Sequence, residues 1–225
     1  VALGLLSMIA GAFLAIGQWD FKRLLAYSSI SQIGYVVLGI GLGATLIAKK
    51  ADLAWASLAI LGGLFHLVNH AVYKSLLFLT SGSVQMSTGT RQMKQMGGLA
   101  EKLPFTRTAC IVASASIVGI PPFSGFWSKL ILVWAAVLAH LYWLAAIIIF
   151  ISLCTLIMYL KVQRYVFLGE LPENLRQIKE NRGPMLVAML FLTCLCVLMG
   201  LLVLVPGLKH SILDPAVKVL TDGLA

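Results

Sequence analysis

Hydrophobic residues come in long unbroken stretches, separated by short polar loops. Val1 to Trp19 is the first, closing on Gln18, Trp19 and Asp20, with Lys22 and Arg23 just beyond. A second runs from about Leu24 to Ile47 and a third from about Trp55 to Met86. Pro104 opens a fourth, a fifth extends from about Leu141 to Phe167, and a sixth from Pro184 to about Val205. Several of these exceed the roughly 18 apolar residues that mark a membrane-crossing helix. No ten-residue alternation of polar and apolar positions suggests a β-barrel. The pattern predicts an all-α, polytopic transmembrane bundle of about six spans.

The fourth stretch is irregular. Phe105 to Gly119 is an apolar half-span, followed by GIPPFSGFWSK from Gly119 to Lys129, and then by apolar residues to Ala139. Gly119, Pro121, Pro122 and Gly125 cannot continue a regular helix, so one broken helix is expected here. Irregular backbone at membrane depth is tolerated where it is buried in protein or lines a wet cavity. Many transporters use discontinuous helices to place helix ends near an ion. Lys129 lies just after the break.

Charge sharpens the picture. Only 11% of the 225 residues are charged, against about 25% in soluble domains. The formal net charge of +9 would suggest nucleic acid in a soluble protein, but here the bases sit mostly in short loops. With the broken stretch counted as one crossing, one side holds Lys22, Arg23, Arg91, Lys94, Lys102, Arg107, Lys161, Arg164, Arg176, Lys179 and Arg182. The other holds Lys49, Lys50, Lys209 and Lys218. The first side is expected to be cytoplasmic. Residues 1–206 then form the transmembrane part and 207–225 a short extracytoplasmic tail.

Two bases remain, Lys74 and Lys129, and both fall inside apolar stretches. Gly62 to Val84 reads GGLFHLVNHAVYKSLLFLTSGSV, which places His66, His70 and Lys74 four residues apart. Such spacing puts them along one helix face, over about 12 Å at about 1.5 Å per residue. Ionisable groups at membrane depth cost several kcal/mol without water or a partner. The stripe therefore predicts a hydrated interior path carrying protons. A buried lysine held without an acid can gain and lose a proton as neighbouring charge changes, and imidazole passes protons through either ring nitrogen. The bland alternatives are lysines that snorkel to the interface and histidines packed by hydrogen bonds. The HxxxH spacing also fits zinc on a helix face, but no third ligand is evident and no glutamate lies between the histidines. Ser28, Ser29, Ser31 and Gln32 either hold water along the second span or pack it. Phe126 and Trp127 read as packing around the break.

The four cysteines, Cys110, Cys154, Cys194 and Cys196, lie in apolar stretches without iron–sulfur spacing. Packing is their expected role, and these residues call for no redox cofactor.

Three stretches together resemble one family. QWDFKRLLAYSSISQIGY (Gln18 to Tyr35), HLVNHAVYKSLLFLTSGSV (His66 to Val84), and MGGLAEKLPF with GIPPFSGFWSK (Met96 to Lys129) are similar to antiporter-like subunits of complex I, membrane-bound hydrogenases and Mrp cation/proton antiporters. The resemblance implies the second of two inverted five-helix repeats plus one following helix. It also implies that Lys129 is the broken-helix lysine at the outer end of a proton path. His66, His70 and Lys74 would belong to the central hydrophilic axis, and Asp20 with Lys22 would be a charged pair coupling neighbouring subunits. The family's first repeat, with its glutamate–lysine pair, has no counterpart in these residues, so a split subunit or a fragment is expected. Expected partners are other membrane subunits, including a first-half repeat, together with peripheral redox subunits and the lipid bilayer. The chain then has no catalytic site of its own. It would be a proton-translocating component of a redox-driven pump in a cytoplasmic or equivalent energy-coupling membrane. Membership of a stand-alone Mrp-type Na⁺/H⁺ antiporter and a non-conducting scaffold role are the rival readings.

Overall fold

The computed structural model describes residues 1–180 and 183–202. The expected tail therefore lies outside the described residues, as do Arg182, Lys209 and Lys218. Seven α-helices follow one another: α1 (Ala2–Ile16), α2 (Phe21–Ala48), α3 (Leu53–Thr88), α4 (Pro104–Val118), α5 (Ser124–Leu138), α6 (Tyr142–Val162) and α7 (Pro184–Leu202). A π-helical turn, Gln163–Phe167, extends α6. Among the described residues, β pairing is limited to one isolated bridge between Asp20 and Gln92.

Among the described residues, four segments are long and apolar enough to cross a membrane: α2, α3, α6 with its π turn, and α7. The others are shorter. At about 1.5 Å per residue, the 15-residue α4 and the 15-residue α5 each fall short of a hydrocarbon core of about 30 Å. They are the two halves of the broken span.

Two sets of loop contacts show how these helices cross. At one end, Met93 N–H donates to Trp19 O at 2.9 Å and Phe21 N–H to Arg91 O at 3.0 Å. At the same end, Gly98 N–H donates to Leu168 O at 3.2 Å and Ala100 N–H to Phe167 O at 3.1 Å. The α1–α2, α3–α4 and α6–α7 loops thus meet on one side, and Trp19 lies between the ammonium groups of Lys94 and Lys161, 4.3 and 4.1 Å from its ring. At the other end, Trp55 at the start of α3 meets His140 in the α5–α6 turn, ring centroids 6.1 Å apart. The chain therefore enters α4 on the basic side and leaves α5 on the opposite one, so the broken stretch crosses once. With the four long segments that makes five crossings among the described residues, and the 15-residue α1 is a further, shorter apolar helix.

Local chemistry fixes the helix ends. Asp20 caps α2 by accepting from Arg23 N–H at 3.0 Å, and Asp52 caps α3 through Ala54 N–H at 2.8 Å. Pro104 stands in the first turn of α4, where its missing N–H costs nothing. The adjoining Phe105 and Thr106 amides donate to the Glu180 carboxylate at 3.1 and 2.6 Å. Between the helices, buried polar groups tie neighbours together: Ser31 Oγ donates to Met8 O at 2.9 Å, joining α2 to α1. Interhelical bonds of this kind are the expected glue where lipid removes any hydrophobic difference between inside and outside. The outer surface accordingly carries Phe150, Leu153, Ile157 and Leu160 of α6 and Val187 and Phe191 of α7, all exposed.

This topology makes a direct labelling prediction. In a variant with Cys194 replaced by serine, an impermeant thiol reagent added from one side of sealed vesicles should label Lys94→Cys and Arg176→Cys but not Lys49→Cys. Added from the other side it should label only Lys49→Cys. Labelling of all three from the same face would contradict the crossing pattern.

Candidate functional site

The broken span is held together by its own defects. Pro121 and Pro122, joined by a cis bond, have no N–H to give to the carbonyls four residues back. Those carbonyls are Ile117 O and Val118 O, at the C-terminal end of α4. The Lys129 ammonium donates to both, at 2.8 and 3.1 Å. A cation at a helix C-terminus also lies favourably against the helix dipole. Gly119, at φ 87°, turns the chain in a conformation that side chains disfavour, and its N–H returns to Ala115 O at 3.1 Å. The start of α5 then lies directly against the end of α4. A Cβ on Gly125 would stand 1.8 Å from Ser116 O, so only glycine fits. On the far side α7 covers the break, where a Cβ on Gly200 would come 2.4 Å from Pro122 O. Asn69 of α3 donates to Ser124 O at 3.1 Å.

His66 is fully buried and sits where α2, α3 and α5 meet. Its Nδ1 faces Ser128 Oγ at 2.9 Å, and its Nε2 faces Gln32 Oε1 at 3.2 Å and Tyr73 OH at 3.4 Å. Gln32 in turn donates from Nε2 to Thr155 Oγ1 at 3.4 Å, and Thr155 donates to Ile151 O at 2.9 Å. Ser128 also donates to Gly125 O at 3.2 Å, so the imidazole is connected to the break.

Lys74 is 4% exposed and Lys129 is 6% exposed; neither snorkels. Lys74 donates to Leu25 O and to Ser28 Oγ, both at 2.7 Å. Ser28 Oγ lies 3.3 Å from the hydroxyl of the buried Tyr159. Among the described residues neither ammonium has a carboxylate within ion-pair distance. Tyr35 separates the Lys129 and His66 groups: its ring lies 5.1 Å from Lys129 Nζ and 5.2 Å from the His66 ring. Its hydroxyl donates to Ile148 O at 3.1 Å and lies 3.2 Å from Ser152 Oγ. Three buried polar clusters result, centred on Lys129, His66 and Lys74. A cleft of about 310 Å³ between α5 and α6 reaches Lys129, with Ser152 on its wall.

The remaining expected residues behave differently. His70 is only partly buried, stands edge-on to Tyr73 at 5.7 Å, and its Nε2 is sealed from solvent with no hydrogen-bond partner among the described residues. The stripe is thus continuous in spacing but not in bonding. Asp20 pairs with Arg91, Nε to Oδ2 3.6 Å, rather than with Lys22. The acid ties the α1–α2 corner to the α3–α4 loop. Phe126 and Trp127 pack edge to face at 5.1 Å. Sequence reasoning overlooked Tyr35, Asn69, Tyr73, Ser128, Thr155 and Tyr159. Ser128 and Tyr73 directly precede the two lysines, and Thr155 and Tyr159 are four apart on α6, so a polar stripe was there to be read.

A site of this kind, one buried ammonium on a broken helix and a second on the neighbouring α3 that also carries a buried imidazole, can be compared with known proteins. Residues 1–155 match the family model described as NADH:quinone oxidoreductase/Mrp antiporter, TM. The chain belongs to this family. Over 195 residues it is 36% identical to an Na(+)/H(+) antiporter protein of Alkalihalophilus pseudofirmus, covering 87% of this chain and 37% of that protein. It is 33% identical over 224 residues to hydrogenase-4 component B of Escherichia coli, covering 93% of this chain and 33% of the relative. A chain of respiratory complex I from Thermus thermophilus superposes with a TM-score of 0.81 at 26% identity, covering 99% of this chain and 44% of that one. The chain thus spans about a third of the length of the curated relatives it matches.

The contact at Gly125 can be tested directly. Gly125→Ala should destabilise the protein by about 1–3 kcal/mol, the usual cost of overpacking, and lower its Tm in detergent. Gly17→Ala, whose Cβ would find only Leu14 O at 3.8 Å, should leave Tm unchanged. Equal Tm values for both would contradict the close approach of α5 to α4.

Proposed function

We propose that this chain is part of an antiporter-like subunit that moves protons across an energy-coupling membrane. We place it in a multisubunit, redox-driven ion pump of the complex I or membrane-bound hydrogenase type. One observation carries the reading: two ammonium groups are buried at membrane depth on neutral oxygens alone, with an imidazole network between them. A carboxylate partner would favour the charged form of each ammonium more strongly. Carbonyl and hydroxyl oxygens support the charged state while leaving release within reach.

In this reading Lys129, His66 and Lys74 are successive holding sites, with water completing the steps between the clusters. Tyr159 and Ser28 serve Lys74, and Tyr35 stands between Lys129 and His66. His70 stands outside the bonded clusters and is not a holding site in this reading. An electric field from a neighbouring subunit shifts which site is charged, and the chain itself does no redox chemistry. Partners would be further membrane subunits and peripheral redox subunits, and the membrane the cytoplasmic one. The 36% identity to an Na(+)/H(+) antiporter protein favours a second reading, exchange of Na⁺ for H⁺ without a redox module. The proteins that co-purify separate the two readings.

The assembled complex, reconstituted into vesicles, provides the test. Lys129→Ala and Lys74→Ala should each slow proton transport by about tenfold or more, equivalent to about 1.4 kcal/mol on the barrier. Lys74→Arg should fail as well, since arginine keeps the charge but does not release the proton. Wild-type transport in Lys129→Ala would remove that lysine from the path and leave a scaffold role.

A further inference from the structure

The hydrogen bonds around His66 carry more than burial. Two of the neighbours have a second partner of their own. Ser128 Oγ–H has a carbonyl to donate to, Gly125 O at 3.2 Å, which leaves its oxygen free to accept from Nδ1. Gln32 Nε2 is engaged by Thr155 Oγ1, and Thr155 gives its own proton to Ile151 O. Gln32 therefore presents Oε1, an acceptor, to Nε2. With both neighbours in these roles the ring is a double donor, and the imidazolium form satisfies Ser128 and Gln32 together.

Each neutral tautomer is also provided for, by a different neighbour. With the proton on Nε2, the ring donates to Gln32 Oε1, and Ser128 Oγ–H turns from Gly125 O to Nδ1. With the proton on Nδ1, the ring donates to Ser128 Oγ, and the Tyr73 hydroxyl, 3.4 Å away, donates to Nε2. One nitrogen faces the broken helix and the other faces α2 and Tyr73. Hydroxyl rotation alone interconverts the hydrogen-bond patterns, without movement of a helix.

The geometry points to His66 as a two-sided proton station, with Ser128 and Tyr73 serving its two tautomers and Gln32 positioning it for the charged form. A proton passing through binds one ring nitrogen, forming its N–H bond, and the other nitrogen then releases its own to a water molecule on its side, breaking that N–H bond. No electrons move, and the ring ends neutral in the opposite tautomer. The hydroxyl of Ser128 is the group on the break that responds, so Ser128 links the charge on His66 to the first turn of α5, one residue from Lys129. This assignment rests on the reading that protons pass through His66, but its signature is spectroscopic.

Solid-state ¹⁵N NMR of ring-labelled histidine in the assembled, lipid-reconstituted complex reads it, since protonated and bare ring nitrogens resonate apart. The His66 signals are those lost in His66→Gln. In neutral His66, Gln32→Leu removes the acceptor at Nε2 and should shift the population to the Nδ1–H tautomer. Tyr73→Phe removes the donor to Nε2 and should shift it to the Nε2–H tautomer. Ser128→Ala removes one bond from each neutral tautomer and should leave their ratio near that of the wild type, while both Gln32→Leu and Ser128→Ala should lower the imidazolium fraction. Tyr73→Phe keeps the packing, so it answers even if the other two variants fail to assemble. Identical tautomer populations in wild type, Gln32→Leu and Tyr73→Phe would overturn the assignment. Opposite shifts, together with undiminished transport in Lys129→Ala, would uphold the assignment while removing the conduction reading through Lys129.

Discussion

One lysine satisfies what two prolines leave open. In a lipid-depth interior, a carbonyl without a donor costs several kcal/mol, and the Pro121–Pro122 pair creates two such groups at Ile117 and Val118. A buried ammonium without acceptors is costly in the same way. The Lys129 side chain answers both problems at once, with bonds of 2.8 and 3.1 Å. The break is stable because the cation is there, and the cation is tolerable because the helix is broken. That mutual dependence explains why a proline pair and a lysine seven residues later form one device.

The same principle recurs at lower intensity around the other clusters. Lys74 is accommodated by Leu25 O and the Ser28 hydroxyl, and His66 by groups from α2, α3 and α5. None of these cations or potential cations is neutralised by an acid among the described residues. The Asp20–Arg91 pair lies at the loop edge, where it holds a corner. The protein thus separates two uses of charge: opposite charges paired at the loop edge give shape, and single positive groups inside are held by dipoles alone. Opposing groups act along α4 itself. Glu180 accepts from its first amides and Lys129 closes its last carbonyls, so each end of the helix dipole meets the complementary charge.

Long apolar stretches and loop charges made the spans and their single-crossing break legible, because lipid leaves few alternatives to a helix. Lys74 and Lys129 were legible for the same reason: an ammonium inside an apolar stretch has no trivial explanation. The bonds around them were not. Ser128, Tyr73, Thr155 and Tyr159 are ordinary helix residues whose meaning depends on which helix lies opposite, and period alone does not give rotation or partner. The His66–His70–Lys74 stripe shows the limit from the other direction. Each four-residue step advances a helix about 40° beyond a full turn, so residues on a shared face still meet different neighbours. His66 and Lys74 are bonded into the core, while His70 Nε2 has no partner among the described residues. The family resemblance joins Asp20 to Lys22 as a charged pair, whereas in the fold Asp20 pairs with Arg91.

Conduction requires that the three polar clusters lie on one wet line rather than standing as three isolated packing solutions. An experimental density map of the intact complex in lipid, fine enough to show ordered water, tests this more directly than any variant. Water is expected to join the Lys129 and His66 clusters past Tyr35, and the His66 and Lys74 clusters between Gln32 and Ser28. Aliphatic side chains closing both intervals, with no water density between the clusters, would contradict a proton path through them.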